Sequence, residues 1–185
     1  MRRKLILFIL VLGVAFVGYA LLLREPLPGF SSSGAQQGQP ELILYTQAGL
    51  LPEGIDYGRA CDCFLVSSVG TGQIGKVSLE GKYTPLTQDP ELVSSFGLLV
   101  DEKRKRVLVA LGDYGWSQKS SALTRLKTAK LGVYDLNTGK RLQLIDLAAL
   151  RPSYRKHMAN DIAMDPEGNA YITDSFAPVI YKVTA

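Results

Sequence analysis

The chain has 185 residues, 46% of them apolar and 21% charged, enough to bury a core of ordinary size. Its net charge is +4, and three of the positives, Arg2, Arg3 and Lys4, stand at the amino terminus, so the remainder is nearly neutral. No basic stripe with interleaved aromatics occurs, which argues against a nucleic-acid partner.

Leu5 to Leu23 form an apolar run without a charge, and about 20 residues of helix cross a bilayer. The positives before it orient such a helix with its amino terminus in the cytoplasm. Residues 1–23 are therefore read as an uncleaved membrane anchor. The alternative is a cleaved signal peptide, since Gly18-Tyr19-Ala20 has the form of a cleavage site, although it lies inside the apolar run. Both readings put the folded part outside the cytoplasm, periplasmic or extracellular, anchored in the first case and secreted in the second. Residues 24–40 are rich in Pro, Gly, Ser and Gln and form a flexible linker.

The folded part, residues 41–185, opens on Glu41-Leu-Ile-Leu-Tyr45, which has the composition of a strand. A pattern then recurs near residues 51–90, 94–146 and 158–185. Pro52 to Gly58 leads into Phe64 to Ser68, Ser95 to Asp101 leads into Val107 to Leu111, and Met158 to Asp165 leads into Ala170 to Thr173. Third strands follow at Ile74–Leu79, Leu131–Leu136 and Val179–Val183, and fourth strands at Tyr83–Leu86 and Arg141–Ile145. Self-similarity of this length, with nearly all-apolar second strands, predicts an all-β chain of β-propeller blades. Leu147 to Leu150 reads as one helical turn, and Arg104-Lys105-Arg106 as a solvated turn.

About three blades are present, whereas closed rings have roughly four to eight. The chain is thus read as part of a longer protein or, alternatively, as half of a ring that two copies complete. Open blade faces would in either case favour self-association. The segments Asp113–Lys130 and Asp146–His157 are extra chain, expected as rim loops. Tyr114 and Trp116 in the first are read as an aromatic wall at a pocket rim or as packing of the loop on its own blade.

Laid over one another, the repeats put Glu53, Phe96 and Asn160 in one column and Gly54, Gly97 and Asp161 in the next. The innermost strand of a blade lines the central channel, so these columns converge toward its axis. Two carboxylates and an amide are hard oxygen donors that suit calcium or magnesium rather than zinc. The competing reading makes Asn160 and Asp161 caps of a turn. His157 is the single histidine, which excludes a histidine pair within one chain. It is a candidate proton shuttle at the pocket rim or simply a turn residue. Ser67, Ser68 and Ser175 lack the Gly-x-Ser-x-Gly surround of a serine hydrolase. Cys61 and Cys63 are either two free thiols or a strained, labile bridge.

Leu51-Pro-Glu-Gly-Ile55 and Asn160-Asp-Ile-Ala-Met-Asp-Pro-Glu-Gly-Asn-Ala-Tyr-Ile-Thr-Asp174 resemble blade motifs of the senescence-marker-protein/gluconolactonase (regucalcin-like) family, to which paraoxonases and diisopropyl fluorophosphatase are related. The resemblance spans about Leu42 to Ala185. It implies a six-bladed propeller with a central divalent cation, most often Ca2+. Glu53 and Asn160 match metal-binding positions of the family, and Asp161 would act behind them or through a water. Further ligands and the catalytic aspartate come from later blades in the family, so no catalytic residue is assigned here. The implied activity is calcium-dependent hydrolysis of a small-molecule lactone or ester. The alternative is a non-catalytic extracytoplasmic binding module.

Overall fold

A computed structural model describes residues 42–185, which form one compact unit. The expected anchor and linker lie outside the described residues. No helix among the described residues is long and apolar enough to cross a membrane.

The unit is all-β. Eleven strands are arranged as three successive antiparallel blades. The first blade holds β1 (Ile55–Gly58), β2 (Cys63–Val66), β3 (Ile74–Ser78) and β4 (Tyr83–Thr87), paired in chain order. The second holds β5 (Ser94–Asp101), β6 (Arg106–Gly112), β7 (Lys127–Asp135) and β8 (Arg141–Asp146). The third holds β9 (His157–Met164), β10 (Ala170–Asp174) and β11 (Ile180–Val183). A two-residue parallel contact, Lys127 with His157 and Thr128 with Met158, joins the second and third blades. Leu147 to Leu150 gives a single 3-10 turn over Ala148–Leu150.

Turn chemistry explains the strand ends. Gly81 and Gly139 take φ of 82° and 68° after β3 and β7, where a side chain would be strained. Asp135 Oδ1 accepts the N–H groups of Asn137 and Thr138 at 3.0 and 2.7 Å and closes the second of these turns. Asp165 does the same for the β9–β10 turn, accepting from Asn169 N–H at 2.8 Å and from the Tyr171 hydroxyl at 3.0 Å.

The near-continuous apolar run of β6 follows from burial on both faces. Val107, Val109 and Leu111 pack with Leu65, Ile74 and Leu98 toward the first blade. Leu108 and Ala110 point the other way and pack with Met158, Ile162 and Ile172 of the third. The alternation assigns each residue to one inter-blade layer.

Three expectations are corrected. Leu42 to Tyr45 is not a strand: it joins no ladder, although exposure alternates, with Ile43 and Tyr45 packed on Leu50, Val66 and Val77 and Leu42 and Leu44 outside. The Arg104–Arg106 turn is not simply solvated. Asp101, buried at 2% exposure, accepts from Arg106 Nε at 2.8 Å and Arg104 at 3.2 Å. The same guanidinium groups reach the Glu167 and Gly168 carbonyls of the third blade, so the turn is an inter-blade clamp. The rim loop of the second blade also ends earlier than Lys130, because β7 begins at Lys127.

Candidate functional site

The innermost strands carry matching irregularities. In the third blade Ile172 pairs with Ile162 but Asp174 pairs with Ala159, which leaves one extra residue in β9. In the second, Val109 pairs with Leu98 and Leu111 with Ser95, which leaves one extra residue in β5. Both are β-bulges, a device that re-aims side chains and recurs near active sites. Asn160-Asp161 fill one and Phe96-Gly97 the other. In the first blade the ladder stops at Ile55–Val66, and the next rung is Gly54 N–H donating to Ser67 Oγ at 2.7 Å.

These columns touch across the blades. A Cβ at Gly54 would lie 2.4 Å from the Phe96 carbonyl oxygen, and one at Gly97 would lie 2.6 Å from both Asn160 O and Asp161 Oδ1. Glycine is required at both positions because backbone from the next blade occupies the space of a side chain.

Glu53 and Asp161 are brought near enough for their charges to interact. The Glu53 carboxyl is held above its ordinary value, first by partial exclusion of water and second by the Asp161 carboxylate. Two residues earlier Leu51 has φ of 44°, a left-handed backbone uncommon for a residue with a side chain. Asn160 Nδ2 donates to Ser175 Oγ at 2.6 Å, which leaves the amide oxygen free to accept a ligand. Asp161 Oδ1 accepts its neighbour's Ile162 N–H at 2.9 Å. Among the described residues, no group of three or more His, Cys, Asp or Glu side chains has metal-binding geometry. The arrangement offers two carboxylates and one amide oxygen. That donor set fits part of a calcium shell, which takes about six to eight oxygens.

His157, expected at a pocket rim, lies buried at 5% exposure. Its Nδ1 is 3.0 Å from Asp174 Oδ2, and its Nε2 is 3.2 Å from the Tyr154 carbonyl. The Tyr181 hydroxyl donates to the same Asp174 oxygen at 3.0 Å. Asp174 Oδ1 accepts from Met158, Phe176 and Ala177 N–H at 3.0, 2.9 and 3.2 Å. Burial pushes the Asp174 carboxyl up, but these donors outweigh it and hold the group below its ordinary value. The ring is thus a fixed member of a buried network that ties β9, β10 and β11 together.

Tyr114 and Trp116 stand on the loop after β6, at 41% and 66% exposure. Tyr114 packs edge-on against Trp116, centroids 4.8 Å apart, and stacks on Phe176 of the third blade at 6.2 Å. The loop thus reaches across to the next blade. Phe176 follows Ser175, the partner of Asn160, so the loop after β6 meets the third blade next to the residue that holds Asn160. Sequence reasoning missed Phe176 and the buried anchors Asp113 and Asp174. The one available signal was an aspartate at the end of the second strand in the second and third repeats, Asp113 and Asp174. The cysteine alternatives resolve to a Cys61–Cys63 disulfide on the opposite end of the first blade, in the β1–β2 turn.

No family model matches the chain, and no curated protein is similar to it in sequence. Among solved structures, a catalytically inactive virginiamycin B lyase from Staphylococcus aureus with quinupristin aligns with a TM-score of 0.54 at 17% identity. The alignment covers 78% of this chain and 41% of that one, so the chain spans less than half of the neighbour's length. A luciferin-regenerating enzyme aligns with a TM-score of 0.42 at 15% identity, over 71% of this chain and 36% of that one. The first likeness is one of fold alone, and it agrees with the blade topology described above: residues 42–185 are built on the β-propeller plan.

Proposed function

We propose that this chain supplies part of the centre of a divalent-cation-dependent lactone or ester hydrolase, with Ca2+ the best-suited ion. The observation that supports the reading is the charge interaction of Glu53 with Asp161, which shares the β9 bulge with Asn160. Two carboxylates held close repel each other, and a cation between them relieves that repulsion. Glu53 and Asn160 would hold the ion directly, with Asp161 beside them. A bound cation supplies Lewis-acid polarisation of the substrate carbonyl. Glu53, whose raised carboxyl takes up a proton before an ordinary glutamate does, ties occupancy of the site to pH. The Asn160–Ser175 hydrogen bond fixes the amide so that its oxygen faces away from Ser175.

Calcium titration of the full chain by calorimetry, alongside lactone and aryl-ester hydrolysis with and without chelator, tests this. Hydrolysis indifferent both to chelator and to Glu53→Gln would sink it. A second reading, a binding module without turnover, draws on the exposed Tyr114, Trp116 and Phe176. Cation affinity with no turnover on any ester would favour it.

We further propose an extracytoplasmic position, through an anchor or after secretion. The charge and apolar pattern of residues 1–23 and the Cys61–Cys63 bridge support it, since disulfides persist in oxidising compartments. Cytoplasmic activity of a phosphatase fused after Ala185 would contradict it.

A further inference from the structure

A cavity of about 280 Å³ opens between the first two blades, at the end where β3 starts and β4 and β6 finish. Glu53, Asn160 and Asp161 are not among its walls, and Leu92 is its one apolar lining residue. Thr87, also in the wall, pairs with Ile74 across β3 and β4. Paired residues face the same way, so its side chain points with Ile74 toward the second blade. Thr87 is 7% exposed, yet its hydroxyl has no hydrogen-bond partner among the described residues. Nor is it sealed, because only the Tyr83 hydroxyl is cut off there from both partner and solvent. The Thr87 hydroxyl thus opens into the cavity, and a buried polar group in that state calls for a partner from outside.

The walls are set before any ligand arrives. Gln118 N–H donates to the Gly70 carbonyl at 3.2 Å and Lys119 Nζ to the Leu92 carbonyl at 2.9 Å, which holds the loop after β6 over the first blade. Asp113, fully buried, fixes the base of that loop by accepting from Gly115 N–H at 2.8 Å and Thr124 Oγ1 at 2.7 Å. Asp89 is held by the Tyr134 hydroxyl at 3.1 Å and by Arg141 at 3.0 Å. Side chains fixed in this way bind without a further cost of ordering.

The lining chemistry narrows the guest. The carboxamides of Gln73, Gln88 and Gln118 make no hydrogen bond among the described residues, and each brings two donors and an acceptor. Lys119 and Asp89 carry opposite charges, and Arg141 already compensates the second, so neither an anion nor a cation is favoured. An apolar guest would strand the amides and the Thr87 hydroxyl away from water. Hydroxyl groups donate and accept as these side chains do, and a sugar ring carries one on nearly every carbon. A peptide strand offers one donor and one acceptor per residue over a longer run. The volume lies at the small end for ligand cavities, roughly 300–1,000 Å³, which suits one ring. We infer that this cavity is a binding site for a single neutral sugar ring, free or at the end of a glycan. The site stands apart from the hydrolase reading and needs neither cation nor turnover.

The full chain, with chelator present to keep the cation site empty, is titrated by calorimetry and saturation-transfer NMR. The probes are glucose, galactose, mannose and N-acetylglucosamine, each free and as its methyl glycoside. At least one should bind saturably, about tenfold or more tighter than inorganic phosphate or cyclohexanol, a ring with a single hydroxyl. Thr87→Val, which keeps the shape and removes the hydroxyl, should weaken binding about three- to tenfold. Gln118→Ala, at an exposed position, should do so by a similar factor with the unfolding midpoint unchanged. Methyl glycosides that match the free sugars assign the end of a glycan, and free sugars alone assign the free ring. No saturable binding of any sugar leaves the cavity to water and overturns the site. Equal binding of cyclohexanol or phosphate overturns it too. So does binding lost in Glu53→Gln but intact in Thr87→Val, which would move the ring to the cation site.

Discussion

Gly97 and Asp161 belong to different blades, yet a Cβ on Gly97 would come within 2.6 Å of the Asp161 carboxylate oxygen. The relation places a carboxylate against bare backbone at the inner edge of the sheet, where Glu53 already lies. It also makes the glycine as much a part of the candidate site as the acids it separates.

Gly97→Ala should therefore destabilise the fold by about 1–3 kcal/mol, because backbone and not a flexible side chain blocks the new methyl group. It should also displace Asp161 and weaken cation binding. Chemical denaturation and calcium calorimetry on the same variant check both effects; a neutral variant with unchanged affinity would contradict the packing described.

Glu53→Gln separates binding from stability. The raised Glu53 carboxyl means that the ionised form is disfavoured in the folded, cation-free protein. Its contribution to stability is thus full below the ordinary value of 4.5 and is lost as pH rises through the raised one. The glutamine variant should lack that pH-dependent loss and be no less stable at neutral pH without cation. Its calcium affinity should fall, by about tenfold or more for loss of a charged ligand. Thermal unfolding from pH 4 to 8 with and without calcium measures the difference.

Asp174→Ala should be among the most damaging single changes. It removes the acceptor of three backbone N–H groups, the Tyr181 hydroxyl and the His157 ring at once. Orphaned buried donors cost about 1–3 kcal/mol each, so a loss of about 3 kcal/mol or more is expected from denaturant unfolding. The native group is held below the ordinary value of 3.8, so its stabilisation is complete above that pH and fades as pH falls below it. The alanine variant should lack this part of the acid sensitivity.

The Cys61–Cys63 bridge encloses one residue, Asp62, whose backbone is left-handed at φ 49°. A loop this short restricts the unfolded chain little, so Cys61→Ser with Cys63→Ser should cost about 2 kcal/mol or less. Ala60 N–H donates to Glu102 of the second blade at 3.1 Å and helps to hold the turn without the bridge. Unfolding midpoints with and without reductant give the cost, and a variant that no longer folds would show that the bridge is essential.

Much of the architecture could be read from local pattern. The unbroken apolar run of β6, glycines at Gly81 and Gly139, and aspartates at Asp101 and Asp165 each act within a few residues of themselves, so the strands and turns of the repeat are visible in one dimension. The strand expected at Leu42–Tyr45 failed for the opposite reason. Its alternation is real, but a strand exists only when a neighbour's backbone completes its hydrogen bonds.

The sequence by itself determined the all-β class, the three-fold repetition and the columns that contain Glu53, Gly97, Asn160 and Asp161. Only the tertiary structure decided where the side chains of those columns go. Bulges in β5 and β9 turn Asp161 toward Gly97, and inter-blade packing sets Arg104 and Arg106 on the Glu167 and Gly168 carbonyls. It likewise buried His157 with Asp174 and Tyr181, and set Phe176 on Tyr114. A side chain's partner across two blades depends on the twist and register of every strand between them, and no local spacing encodes that sum.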